Sequence, residues 1–122
     1  MSFTIKTAIS DARMEDLLCA AFEGGIGYWA EIEGLEGEEI RHKYSFQLPV
    51  RGGAVIFGDS TGEGFPEGFE APRLDRQALE RGLELMAKNC PSYMADFVNE
   101  NEDAITGDVF VQLCVFGEVV FG

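Results

Sequence analysis

The sequence predicts an α+β domain: a small antiparallel sheet with three or four helices packed mainly on one face. Three observations lead there. Short runs in the first half alternate apolar and polar residues, the period of half-buried strands. The last third spaces its apolar residues three and four apart, the period of helices. A length of 122 residues with 46% hydrophobic content suits one domain, residues 1–122, with a single core and no staples.

In chain order, Phe3, Ile5, Thr7 and Ile9 alternate with Thr4, Lys6 and Ala8, which predicts a first strand. Ser10 or Asp11 can cap a helix whose Met14, Leu17, Leu18, Ala21 and Phe22 share a face. Gly24-Gly25 is expected to stop that helix in the left-handed conformation. Tyr28, Ala30 and Ile32 open a second alternating run, and Ile40, His42, Tyr44 and Phe46 a third that Pro49 ends. After the Gly52-Gly53 turn, Ala54-Val55-Ile56-Phe57 reads as a short buried strand. Residues 58–72 form the longest loop, carrying Phe65 and Phe69 among glycines, prolines and acids; loops of that length are often functional or mobile. Asp75 can cap a helix with Leu79, Leu83 and Met86 inward. Pro91 suits the first turn of another that buries Met94, Phe97 and Val98. Thr106 or Asp108 is expected to open a last element, where the spacing of Val109, Phe110, Leu113 and Cys114 favours a helix to about Gly117, although Val and Phe suit a strand as well.

A formal charge of −13 on so short a chain argues against direct nucleic-acid binding, which needs clustered Lys and Arg. It also disfavours anionic membrane surfaces. It fits a basic partner protein or mimicry of the DNA that partner expects, and plain solubility explains it as well. No apolar run approaches the roughly 20 residues of a membrane span, and the N-terminus lacks a signal-peptide pattern. Cys19, Cys90 and Cys114 are odd in number and show no CxxC spacing, so reduced thiols in a cytoplasm are expected.

Enzymatic chemistry finds little support. His42 is the sole histidine and lies near no nucleophile motif. One histidine and scattered cysteines cannot make a compact zinc cage, and Asp59, Ser60, Thr61 and Glu63 read better as a polar turn than as a calcium loop. Gly24-Gly25-Ile26-Gly27 follows a helix instead of opening one, unlike phosphate-binding loops. No cofactor, metal or catalytic residue is expected.

The candidate ligand-binding residues are Glu23, Gly24, Gly25, Tyr28, Trp29, Asp108 and Gln112. On a strand, adjacent Tyr28 and Trp29 point to opposite faces, so one ring is left outward beside bare glycine amides and a carboxylate. Such a turn can stack and hydrogen-bond a flat ligand. Equally, Trp29 plugs the core and the glycines are caps. Asp108 and Gln112 are four apart, hence neighbours on one helix face. Polar groups near a core need partners, for which Glu23, Tyr28 and Trp29 are candidates. The plainer reading makes them a helix N-terminal acid and an exposed amide.

Phe22-Glu23-Gly24-Gly25 through Tyr28-Trp29, Gly82-Leu83-Glu84-Leu85-Met86-Ala87, and the closing stretch resemble a family of small uncharacterised bacteriophage and prophage proteins. In the closing stretch the likeness rests on Asp103-Ala104, Asp108-Val109-Phe110, Gln112 and Phe116-Gly117-Glu118-Val119-Val120-Phe121-Gly122. Residues 33–74 are unmatched. The resemblance implies a setting, the cytoplasm of a bacterial host cell, and no mechanism. Within it, the first expectation is a non-enzymatic counter-defence protein that sequesters a small nucleotide-like ligand. The alternative is an acidic inhibitor of the DNA-mimic or anti-CRISPR type, which blocks a basic surface of a host defence protein. The expected partners are therefore that small ligand or that basic protein, with a homo-oligomer left open and no membrane bound.

Overall fold

The computed structural model describes residues 8–37 and 44–122. The strand expected from Phe3, the first part of the run from Ile40, and His42 lie outside the described residues. Within them, four α-helices and a three-stranded antiparallel sheet form an α+β fold.

Helix α1 spans Asp11–Gly24, and the Ser10 hydroxyl caps it by accepting from the Arg13 N–H at 3.2 Å. Strands β1 (Ala30–Glu36), β2 (Ala54–Asp59) and β3 (Arg73–Leu74) pair in the order β1-β2-β3. Ala30 stands opposite Asp59 and Leu35 opposite Val55, with the register shifting between Ile32 and Gly34. Helix α2 (Arg76–Asn89) starts at Asp75, whose carboxylate accepts from the Ala78 N–H at 2.9 Å. Pro91 opens α3 (Pro91–Val98), and α4 runs Ala104–Phe116.

Ten of the thirteen α4 residues are buried, so this helix has no solvent face and forms the axis of the core. It packs on α1 and α2 and touches α3 and β3. Val55, Phe57 and Leu74 are fully buried and join the same core from the sheet. The Phe57 ring meets those of Phe22 and Trp29 edge-on at 5.8 and 6.0 Å.

Several expectations need correction. Gly25 ends α1 in the right-handed region at φ −101°, not the left-handed one. Its requirement is space, since a Cβ there would lie 2.5 Å from the Ala104 carbonyl oxygen. Ser45–Gln47 is a 3-10 turn, not the end of a strand, and Phe46 reaches the interior from it by packing edge-on against Phe22. The cap of α4 is Asp103, earlier than Thr106 or Asp108. Asp103 and Thr106 bond reciprocally in a capping box that satisfies two orphan amides at once. Val98 is 47% exposed, because the short α3 turns only Phe97 fully inward.

Candidate functional site

Asp108 and Gln112 occupy successive turns of the buried helix α4, facing the turn that joins α1 to β1. The Tyr28 hydroxyl donates to Asp108 Oδ2 at 2.6 Å and the Trp29 indole N–H to Asp108 Oδ1 at 2.7 Å. Gln112 Nε2 donates to Asp108 Oδ1 at 2.9 Å and lies 3.4 Å from the Tyr28 oxygen. The sequence places these four residues some eighty positions apart in pairs, and the fold joins them in one hydrogen-bonded cluster.

The remaining capacity of Gln112 is spent on residues 118–122, which turn back along α4 after Gly117. Gln112 Oε1 accepts from the N–H groups of Val120 and Phe121 at 2.7 and 2.8 Å, and Nε2 donates to the Phe121 carbonyl at 3.2 Å. Gly117 makes the reversal in the left-handed conformation at φ +78°, where a side chain would be strained. The Phe121 ring then stacks on Trp29, with centroids 5.4 Å apart and planes 8° from parallel.

Which aromatic faces inward is thereby answered. Trp29 is fully buried, and its neighbour Ala30 is buried too, so the strand alternation does not extend back through the turn. Tyr28 is 51% exposed while its hydroxyl is tied to Asp108. Burial of the phenol, and after it the adjacent Asp108 carboxylate, pushes its pKa up to about 12. Gly24, Gly25, Tyr28 and Asp108 line a depression of about 200 Å³ beside the first turn of α4. Glu23 is exposed, and its carboxylate lies beside the Cys19 thiol. The expected stacking platform on Trp29 is thus covered by Phe121, and the glycines serve a close helix approach.

A second concave feature lies beside β1 and draws on residues outside that set. Glu33, Asp59, Phe65, Glu67, Phe69 and Glu70 line a groove of about 520 Å³. Glu33 lies across Gly58, so close that a Cβ there would sit 2.5 Å from its carboxyl carbon. Phe65 and Phe69 back the groove and pack on Phe116 at 5.7 and 5.3 Å. Asp59 shapes the loop by accepting from the Thr61 hydroxyl at 2.6 Å and the Gly64 N–H at 2.7 Å. Those bonds hold its carboxyl below the usual range. The density of acids around two phenylalanines was the signal available in the sequence; the concavity depends on long-range packing.

Cys19, Cys90 and Cys114 are free thiols. Among the described residues, no group of His, Cys, Asp and Glu is placed to hold a metal ion, and no helix is long and apolar enough to cross a membrane. No protein-family model, curated protein or solved structure matches the chain.

Proposed function

We propose that this chain is a non-enzymatic binding protein whose working surface is the acidic groove beside β1 and whose partner is a protein presenting Arg and Lys. One observation carries the reading. Residues 30–37 and 54–72 contain seven carboxylates and neither Lys nor Arg, and they are the segments that build β1, β2 and the groove. A concave wall of one sign over apolar backing focuses the field and steers an oppositely charged partner. Exposed Ile32 and Leu35 on β1 add apolar area next to it. The resemblance to bacteriophage proteins suits a host defence protein as that partner, blocked where it would otherwise meet nucleic acid.

The small nucleotide-like ligand is the weaker reading. Exposed Tyr28 above the depression favours it. Yet that depression is about 200 Å³, below the roughly 300–1,000 Å³ usual for small-molecule sites. The Trp29 indole is also already stacked.

Titration with an arginine-rich peptide tests the first reading. Glu33→Gln, Glu67→Gln and Glu70→Gln together should weaken binding about tenfold or more, worth about 1.4 kcal/mol. Glu80→Gln, Glu84→Gln and Glu118→Gln remove equal charge elsewhere and should cost far less. Binding should also fall steeply with salt. Equal losses in the two triple variants would refute the groove as the working surface.

A further inference from the structure

We propose that the slot formed by Trp29 and Gln112 is a peptide-binding site, filled in cis by residues 119–122, and that it accepts a bent segment carrying an aromatic residue followed by glycine. Its recognition elements are those of a peptide receptor. Gln112, itself fully buried, reads two consecutive backbone N–H groups through one oxygen, together with one carbonyl, which a chain bent over that oxygen offers. Trp29 supplies a flat face that the Phe121 ring covers in near-parallel register. The glycine requirement follows from crowding: Gly122 has φ +90°, and a Cβ there would lie 2.9 Å from the Tyr28 hydroxyl oxygen.

The present occupant is attached in a separable way. Val119 and Val120 are 47% and 37% exposed, and Phe121 is half-buried. Among the described residues, the hydrogen bonds that seat the segment beyond Gly117 go to the single side chain of Gln112. Backbone readout with one side-chain pocket is the division of labour by which peptide-binding domains combine affinity with modest sequence selectivity. Tethering gives the cis segment a high effective concentration, on the order of millimolar, so a competitor in trans enters only when the cis segment is weakened. The slot adjoins the acidic groove, whose Phe65 packs edge-on against Trp29 at 6.3 Å, but its recognition through Gln112 uses none of the groove's carboxylates.

The test uses the full chain carrying Phe121→Ala and the synthetic peptide Gly-Glu-Val-Val-Phe-Gly, followed by tryptophan fluorescence and by melting temperature. Trp29 is the only tryptophan, so the signal reports this slot. The peptide should bind the variant saturably and raise its melting temperature, as any ligand of the folded state does. It should leave the wild-type chain, whose slot is occupied, unchanged. Replacing the peptide's Phe with Ala should weaken binding about tenfold or more, as expected for an anchor residue. Adding Gln112→Met to the variant should abolish it. Should Phe121→Ala unfold the chain, Phe121→Leu keeps apolar contact while losing the stack and is read in the same way. A folded variant that shows neither a fluorescence change nor a melting shift at millimolar peptide overturns the proposal, as does binding that survives Gln112→Met.

Discussion

A carboxylate as enclosed as Asp108 costs free energy unless its lone pairs are filled, and Tyr28, Trp29 and Gln112 fill three of them. The expense is unequal among the donors. The Trp29 N–H is wholly buried and has no access to water, whereas Tyr28 is half exposed and can recover a solvent partner. Asp108→Ala should therefore cost at least about 1–3 kcal/mol for the stranded indole alone. Tyr28→Phe should cost less, about 1 kcal/mol, because Asp108, whose Oδ2 loses its donor, lines the open depression beside α4 and can take water there. Urea denaturation of both variants checks this, and equal losses would mean that the cluster is not organised around the indole. The i, i+4 spacing made Asp108 and Gln112 visible as a pair, and the need of buried polar groups for partners pointed at Glu23, Tyr28 and Trp29, of which the exposed Glu23 stays outside the cluster. The orientation of the two rings was not visible. It is set by Phe57, Phe65 and the pair Phe116 and Phe121 closing around the indole from three separate parts of the chain.

Helices α1 and α4 approach closely enough that glycine is required where they cross. A Cβ on Gly107 would lie 2.6 Å from the Ala21 backbone nitrogen and 2.7 Å from its Cα. Two effects oppose each other in Gly107→Ala. Helix propensity favours alanine by roughly 0.5–1 kcal/mol, while overpacking against backbone, which cannot rotate away, costs about 1–3 kcal/mol. The clash wins, so the variant should lose net stability by about 1–2 kcal/mol in thermal or urea unfolding; a more stable protein would show that the helices can part freely. Such crossings leave little trace in a single sequence, since a glycine inside an apolar helix reads only as a weak point. The caps were plainer. Ser10 and Asp75 stand directly before periodic apolar runs, and both act as expected. Asp103 was hidden within an acidic stretch, and its box closes with Thr106 in place of the customary Glu or Gln. Strand β3 consists of two residues, too short for any alternation to register.

At the scale of the molecule, a charge of −13 makes the folded state self-repelling, and the ion pairs that oppose this are mostly exposed. Arg13 is the exception. It bonds Glu102 at 2.6 Å and the Phe97 carbonyl at 2.8 Å, and its guanidinium lies 5.1 Å from the centre of the Phe97 ring. That contact draws the Glu102 carboxyl below its ordinary range. Its stabilisation is thus present above the ordinary glutamate pKa and lost as pH falls through the depressed one. With one enclosed pair among the described residues against a large excess of like charge, screening should help more than it harms. Raising salt from low to physiological strength at neutral pH should lift the melting temperature by a few degrees, on the scale of about 4–8 °C per kcal/mol. A fall with salt would mean that the ion pairs dominate. The wrapping of α4 on all sides has a kinetic side as well. A thirteen-residue helix is marginal by itself in water. With Ile105 its only strongly exposed apolar residue, it has nothing to gain from forming before its neighbours arrive. Folding is therefore expected to condense around this helix from several quarters together, with fractional φ-values along α4 instead of values near one in any local piece.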